Sequence, residues 1–288
     1  MKVWQISLSR RSLTIAAVLV TTVSLGLGAH AALNKRALDA ARAVASEQGE
    51  AAAVKGSKIA LVIGNGHYPD AHAPLAQPIN DARALTATLR SSGFDVDVVE
   101  DASKDDMRRA VTRLQSKVKP DTVVMLFFGG YGVQAGRESY MIPVDAKIWK
   151  EADVRRDGVS VESVLDAIQQ KGARARLVVV DASRRNPYER RFRTFSHGLA
   201  PINAPDNALI LTSATPGKVA DDSSGAHSVL MTELLKELNP QLAGVESAFH
   251  KARIAISRAS EGEQVPSVSS SLLEDVSFVA AASDKAGS

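Results

Sequence analysis

The chain has 288 residues, of which 45% are hydrophobic and 23% charged, so it can build a substantial buried core. Its net charge of +3 equals the contribution of Lys2, Arg10 and Arg11, the only charged residues before Asn34, so the rest of the chain is neutral. This argues against nucleic acid as a partner, because such binders keep their basic excess in the folded part. The absence of cysteine excludes disulfides, thiolate metal sites and a cysteine nucleophile.

The first 31 residues have the pattern of an export signal. Arg10 and Arg11 precede an uncharged run over 13–29, and Ala29 and Ala31 have the small-residue spacing that a signal peptidase cleaves. The same region also reaches the ~20 residues needed to span a bilayer as an uncleaved anchor. Under either alternative the protein is expected to be exported: periplasmic or secreted, or anchored in the inner membrane with its domain outside the cytoplasm. Contact with a membrane is expected only if the segment stays uncleaved.

The rest of the chain divides by composition. The alanine-rich residues 32–57 predict a helical tether, residues 58–280 predict one folded domain, and residues 281–288 predict a disordered tail. No Pro/Gly/Ser-rich linker interrupts the folded part, which favours one domain over two.

Within residues 58–280, short β-branched apolar runs alternate with amphipathic stretches. The apolar runs predict strands at 59–63, 94–99, 122–128, 177–180 and 208–211. The amphipathic stretches predict helices at 80–91, 104–117, 161–170, 229–238 and 246–260. Because the runs are apolar at both odd and even positions, they are typical of strands buried on both faces of a parallel sheet. The alternation predicts an α/β domain with a mostly parallel central sheet flanked by helices.

Two loops of this sheet are candidate functional sites, because ligands in such folds bind beyond the carboxyl ends of the strands. The third predicted strand is followed by Gly130-Tyr131-Gly132, in which the glycines let the backbone turn sharply and present one large polar side chain. The fourth ends at Asp181, and Ser183, a nucleophile-type residue, follows two places later.

These loops resemble those of bacterial caspase-like cysteine peptidases, the metacaspase and orthocaspase relatives of caspases (peptidase C14 type). That family has Gly-His-Gly after one strand and Asp-Ala-Cys-Arg-x-Asn-Pro after a later one. Other segments match the family in the expected order: 63–65 with Tyr68, 78–82, 139–146, 214–220 and 264–266. The resemblance implies a caspase-like three-layer sandwich over residues 58–280.

Tyr131 stands where the family has its catalytic histidine, and Ser183 where it has its catalytic cysteine. A serine hydroxyl needs an adjacent general base, and a phenol that titrates near ~10 is a poor base at pH 7. The substitutions therefore predict a catalytically inactive pseudo-protease. A serine-dependent hydrolase using Ser183 with another base is the alternative. His67 is the candidate base for it, oriented by Asp81, although His67 is better interpreted as a solvated loop residue.

Asp81 and Asp181 are predicted to line a substrate pocket. In the family, carboxylates at the matching positions receive a basic residue, so the resemblance implies a pocket suited to Arg or Lys. A second interpretation of Asp81 stays open, because Asn80-Asp81 also suits the N-terminal cap of the predicted helix.

The other candidates carry weaker signals. The basic cluster after Ser183 predicts a solvated loop, with contact to an acidic partner or a lipid surface as the alternative; its members are Arg184, Arg185, Arg190, Arg191 and Arg193. Three histidines predict surface or helix residues, namely His197, His227 and His250. No His, Asp and Glu set has convincing ligand spacing, so neither a metal nor another cofactor is expected.

The leading hypothesis is thus an exported, non-catalytic caspase-like domain that binds a peptide or protein, with Arg or Lys as the recognised residue. Its role would be scaffolding or regulation. Besides the serine-dependent hydrolase, a structural module is the other alternative, and a cleft filled by the chain's own side chains would favour it.

Overall fold

The computed structural model describes residues 57–71, 74–185, 187–188, 198–220, 225–238, 244–274 and 276–278. The predicted export signal, the tether up to residue 56 and the tail over 281–288 lie outside the described residues. Among the described helices, none combines the length and the apolar character needed to cross a membrane.

The central sheet contains six strands within the described residues. They are β1 (Lys58–Gly64), β2 (Asp95–Glu100), β3 (Val123–Gly129), β7 (Ala175–Asp181), β8 (Ala208–Thr212) and β9 (Ser267–Ser270). Their order is β2-β1-β3-β7-β8-β9, and every pair is parallel except β8 with β9. The five predicted strands and the mostly parallel sheet are confirmed. Strand β9 was not predicted, since Val268 is its only apolar residue.

A smaller antiparallel sheet follows the glycine-flanked loop directly. It contains β4 (Gly132–Ala135), β5 (Glu138–Met141) and β6 (Val159–Ser160), in that order. These strands are too short for hydrophobic alternation to reveal them, and they were not predicted.

Helices cover both faces of the central sheet. They are α1 (Ala76–Ser91), α2 (Lys104–Lys117), α3 (Glu151–Asp157), α4 (Val161–Gln170), α5 (Val229–Glu237) and α6 (Val245–Ala259). Helix α1 begins four residues before its predicted start, because Pro78 lies in the first turn, where its missing N–H costs no hydrogen bond. Asn80 and Asp81 therefore lie inside the helix, and their interpretation as its N-terminal cap is wrong.

The alternation of side chains along β1 shows how the core is divided. Ile59, Leu61 and Ile63 pack in a cluster with residues of α2 and α4. Ala60 and Val62 pack in a second cluster with residues of α1, α5 and α6. Since successive side chains of a strand point to opposite faces, the sheet separates two helical layers. The predicted three-layer α/β sandwich is confirmed.

Candidate active site

The two predicted site loops lie against each other, because β3 and β7 are neighbours whose carboxyl ends are in register. The Gly130 N–H donates to the Asp181 carbonyl over 3.2 Å, and the Gly132 N–H donates to the Ala182 carbonyl over 2.9 Å. Tyr131 thus lies between two residues that are hydrogen-bonded to the loop after β7.

Both glycines beside Tyr131 are required by close approach. Gly130 has φ 155, and a Cβ there would lie 2.5 Å from the hydroxyl oxygen of Tyr68. A Cβ on Gly132 would lie 2.9 Å from the carbonyl oxygen of Ala182. Distances this short exclude a side chain at either position without movement of the loops, so the glycine pattern has a steric cause.

The Tyr131 side chain is buried, with 6% of its surface exposed. Its ring centroid lies 4.7 Å from that of Tyr68, with the planes tilted by 56°. The Tyr131 N–H donates to the Tyr68 hydroxyl over 3.1 Å, and that hydroxyl donates to the Ile142 carbonyl over 2.9 Å. Burial raises the pKa of Tyr131, against an opposing effect of the Arg184 charge. The phenol is therefore neutral at physiological pH.

Ser183 is 1% exposed, and its backbone is held on both sides. Its N–H donates to the Ser213 hydroxyl over 3.2 Å, and its carbonyl accepts from the Ala220 N–H over 2.6 Å. The Ser183 hydroxyl oxygen is sealed from solvent and makes no hydrogen bond with any residue that the structure describes. No base among the described residues therefore contacts this hydroxyl.

Asp81 is fully buried and lies at the N-terminus of α5 rather than of its own helix. Its carboxylate accepts from the Ser228 N–H over 3.2 and 3.3 Å, and Ser228 is the N-cap of α5. Oδ1 of Asp81 also lies 2.8 Å from Nδ1 of His227. Burial, with the nearby charge of Asp181, raises the pKa of Asp81 to about 6, although the bonds from His227 and Ser228 oppose the rise.

Asp181 is also buried, and its carboxylate is paired with a cationic side chain of the same protein. The two terminal nitrogens of Arg184 lie 3.2 and 3.3 Å from the two carboxylate oxygens. The charge of Asp181 contributes to the raised pKa of Asp81. Their assignment as a substrate pocket stays a prediction, and each already has a partner in this chain.

The histidines differ in part from expectation. The His67 side chain is 64% exposed and its Nδ1 lies 2.6 Å from Asp101, so its interpretation as a solvated loop residue is confirmed. The proposed orientation of His67 by Asp81 is wrong, since Asp81 contacts His227 instead. His250 lies on α6 as expected, whereas His197 is outside the described residues. His227 was missed as a site residue, although it stands directly before the predicted helix at 229–238.

The basic cluster after Ser183 also needs a correction. Arg184 is 6% exposed, so its assignment to a solvated loop is wrong, whereas Arg185 is exposed as predicted. The three other members of the basic cluster, at positions 190, 191 and 193, are outside the described residues. The spacing of Arg184 three residues after Asp181 is the signal that could have indicated the ion pair.

No group of three or more potential metal-ligating side chains occurs in the part of the chain that the structure describes.

The strand order, the two helical layers and the paired loops at the ends of β3 and β7 define a caspase-like α/β domain. The model of the Caspase domain family (peptidase C14) matches residues 57–277, and the chain belongs to this family. Among curated proteins it is similar to human "Mucosa-associated lymphoid tissue lymphoma translocation protein 1", with 30% identity over 133 residues. Identity to the mouse homolog is 29% over 133 residues. Each match covers 46% of this chain and only 16% of the relative's length. The assignment to the bacterial metacaspase and orthocaspase branch stays a prediction.

Proposed function

We propose that this caspase-family chain is a pseudo-peptidase, which binds a peptide or protein at the cleft without cleaving it and acts as a scaffold or regulator. The observation that carries the proposal is the state of Ser183, whose hydroxyl is sealed and has no partner among the described residues. Tyr131 adds support, because its buried phenol is neutral and cannot serve as a base.

The chemistry of the family explains why these two positions matter. A thiolate forms readily because free cysteine titrates near ~8.5, whereas a serine hydroxyl needs a base within hydrogen-bonding reach. With both catalytic groups replaced, only positioning and backbone donors would remain to accelerate a reaction. Binding is therefore the function that the cleft supports best.

The expected ligand presents Arg or Lys to the carboxylates of Asp81 and Asp181. Buried carboxylates favour a cation as a partner. The proposal extends to an exported location, which rests on the basic and apolar pattern of residues 1–31.

Restoring the family's catalytic pair tests the proposal. The double variant Tyr131→His/Ser183→Cys is expected to cleave fluorogenic peptides after Arg or Lys, while the parent protein gives no turnover above buffer. Each single variant serves as a matched control, and each is expected to be inactive because it has only one member of the pair.

Turnover by the parent protein that disappears in Ser183→Ala would contradict the pseudo-peptidase. A double variant that is folded, as shown by circular dichroism, but inactive would contradict the retained pocket for a basic residue.

A serine-dependent hydrolase is the second candidate, and the contact between Asp81 and His227 favours it. A carboxylate bonded to Nδ1 of a histidine is the arrangement that orients a catalytic base. The sealed hydroxyl of Ser183 opposes this candidate. A fluorophosphonate probe distinguishes the two: labelling of Ser183 that is lost in His227→Ala supports the hydrolase, and no labelling supports the pseudo-peptidase.

A further inference from the structure

A second pocket lies at the end of the strands opposite to the candidate active site. It has a volume of about 260 Å³ and is formed where β7 and β8 begin, with residues that follow β9 as its other wall. Its lining includes Arg174, directly before β7, and Asn207, directly before β8. Because β7 contains seven residues, the pocket lies about 20 Å from the carboxyl end of that strand. It is therefore separate from the cleft.

Arg174 supplies this pocket with a guanidinium that lacks an acceptor. The side chain is partly buried, and its Nε is sealed from solvent without a hydrogen bond to any described residue. The guanidinium also forms no ion pair within the described ranges. Burial, and then the charge of Arg174, lowers the pKa of Lys58, so the guanidinium acts on a second cation nearby. A sealed donor without an acceptor is costly, so an anion is the ligand that this side chain favours.

Asn207 adds a second donor to the same lining. Its backbone has φ 56, a left-handed conformation that asparagine adopts more readily than most residues. Its N–H donates to the Ser271 carbonyl over 3.2 Å, and its carbonyl accepts from the Arg176 N–H over 2.9 Å. Oδ1 accepts from the Leu273 N–H over 3.2 Å, which leaves the amide NH₂ as the group that Asn207 can offer to a ligand. A guanidinium and an amide NH₂ together suit a carboxylate.

The other wall selects the rest of the ligand. Leu272 and Val276 pack against the hydrophobic core, whereas Leu273 is 82% exposed. An aliphatic group that covers Leu273 would remove apolar surface from water. Glu274 also lines the pocket, and its charge disfavours a doubly charged anion beside a single guanidinium. The lining therefore fits a singly charged anion with an apolar body.

We propose that this pocket binds an aliphatic carboxylate, with the carboxylate at Arg174 and Asn207. The apolar part of the ligand lies against Leu272, Leu273 and Val276. A small aliphatic acid and the carboxyl end of a peptide whose last residue is aliphatic share this chemistry. The inference does not depend on the pseudo-peptidase, because the pocket and the cleft lie at opposite ends of the strands.

The test is a titration of the full chain with N-acetyl-leucine, followed by ligand-observed NMR. For a probe of this size we expect a dissociation constant on the order of 1 mM. The neutral N-acetyl-leucine amide should bind at least about tenfold more weakly, because it loses the charge-assisted bonds. N-acetylglycine should also bind more weakly, because it has no aliphatic side chain. No binding of N-acetyl-leucine at about 10 mM, or equal binding of the acid and the amide, would overturn the proposal. Tighter binding of inorganic phosphate than of N-acetyl-leucine would overturn the carboxylate class.

Two matched variants test the role of the guanidinium. Arg174→Ala should bind N-acetyl-leucine at least about tenfold more weakly than the parent protein. Lys171→Ala is the control, since Lys171 is an exposed cation three residues earlier that does not line the pocket, and its affinity should equal that of the parent. Equal losses in the two variants would show general attraction of anions and overturn the site.

Should Arg174→Ala fail to fold, Asn207→Gly replaces it. Glycine adopts the left-handed φ of this position and removes the amide, so the variant should bind N-acetyl-leucine several-fold more weakly. An affinity equal to that of the parent would overturn the proposal.

A pentapeptide that ends in leucine with a free carboxylate distinguishes the two sources of the ligand. Tighter binding of the peptide than of N-acetyl-leucine supports a peptide end, because residues before the last one then add contacts. Weaker binding supports a small acid. Cleavage by the parent protein would defeat the pseudo-peptidase alone, so the two proposals fail by different results.

Discussion

At the scale of single residues, the Ser183 hydroxyl lies in the protein interior without a hydrogen-bond partner among the described residues. A buried polar group that lacks a partner costs about 1–3 kcal/mol relative to an apolar group of similar shape. Ser183→Ala should therefore raise the free energy of unfolding by about 1 kcal/mol, measured by urea denaturation.

Ser213→Ala is the control for that prediction, because this equally buried serine has a partner. Its hydroxyl accepts the Ser183 N–H, and its removal leaves that donor unpaired. The control should lower the free energy of unfolding by about 1 kcal/mol. A loss of stability in Ser183→Ala as large as that in Ser213→Ala would show that the Ser183 hydroxyl has a stabilising partner.

The buried carboxylate of Asp81 makes the stability of the protein depend on pH. Its pKa of about 6 in the folded state lies above its ordinary value of 3.8, so the folded state binds the proton more tightly. Between these values stability falls as pH rises, since ionisation of Asp81 beside Asp181 is disfavoured in the folded protein. Relative to that of Asp81→Asn, the free energy of unfolding of the parent should fall by on the order of 2 kcal/mol between pH 4 and pH 7.

Asp157→Asn provides a control of opposite sign. Hydrogen bonding to Arg156 lowers the pKa of Asp157, so its ionised form stabilises the folded state and that contribution is lost as pH falls. Urea denaturation of all three proteins across the pH range gives the comparison. A difference between the parent and Asp81→Asn that does not change with pH would contradict the raised pKa.

Single-residue patterns predicted where the site loops lie but not the partners within them. The positions of Tyr131 and Ser183 follow from the strand pattern, because the carboxyl ends of neighbouring parallel strands meet at one edge. The contact of Asp81 with His227 joins residues 146 positions apart, which no local pattern reveals. The burial of Arg184 was equally hidden, since arginine in a polar loop is usually exposed.

At the scale of elements, the start of β4 depends on Gly132. A Cβ there would lie 2.9 Å from the Ala182 carbonyl oxygen, which belongs to the loop after β7. The Gly132 N–H already donates to that same oxygen, so the loops cannot separate without losing the bond. Gly132→Ala should lower the free energy of unfolding by about 2–3 kcal/mol, as other overpacked sites do.

Gly262→Ala is the control that separates the effect of steric crowding on stability from the effect of backbone conformation. Gly262 has φ +86 and no atom within 4 Å of a Cβ, so alanine there should cost only the conformational penalty of about 1–2 kcal/mol. The steric requirement would be contradicted if Gly132→Ala lowered the free energy of unfolding by less than Gly262→Ala does under the same denaturing conditions.

The predictability of the elements follows from their length and burial. The strands at the centre of the main sheet are apolar on both faces, so their sequences stand out. The small sheet of β4, β5 and β6 has strands of four, four and two residues, whose pairing depends on tertiary contacts. Pro78 concealed the start of α1, because proline in the first helical turn resembles a helix boundary.

At the scale of the whole molecule, the buried hydrophobic residues that the structure describes form clusters on the two faces of the central sheet and beside it. The two clusters on the faces of the sheet bury side chains from every strand of its centre and from five helices. Strand β1 joins them, since it pairs with both β2 and β3 and contributes to each cluster. Stability should therefore depend on β1.

Two fragments test this dependence. A fragment of residues 55–288, which correspond to one compact unit, should unfold at the same urea concentration as the full chain. A fragment that begins at residue 65 lacks β1, which leaves β2 and β3 without their shared neighbour and removes fully buried side chains from both clusters. Because each buried aliphatic side chain contributes roughly 1.5–3 kcal/mol and a domain is stable by only about 5–15 kcal/mol, the shorter fragment should not fold. Circular dichroism and urea denaturation distinguish these outcomes, and a markedly lower midpoint for the 55–288 fragment would show that residues 1–54 contribute to stability.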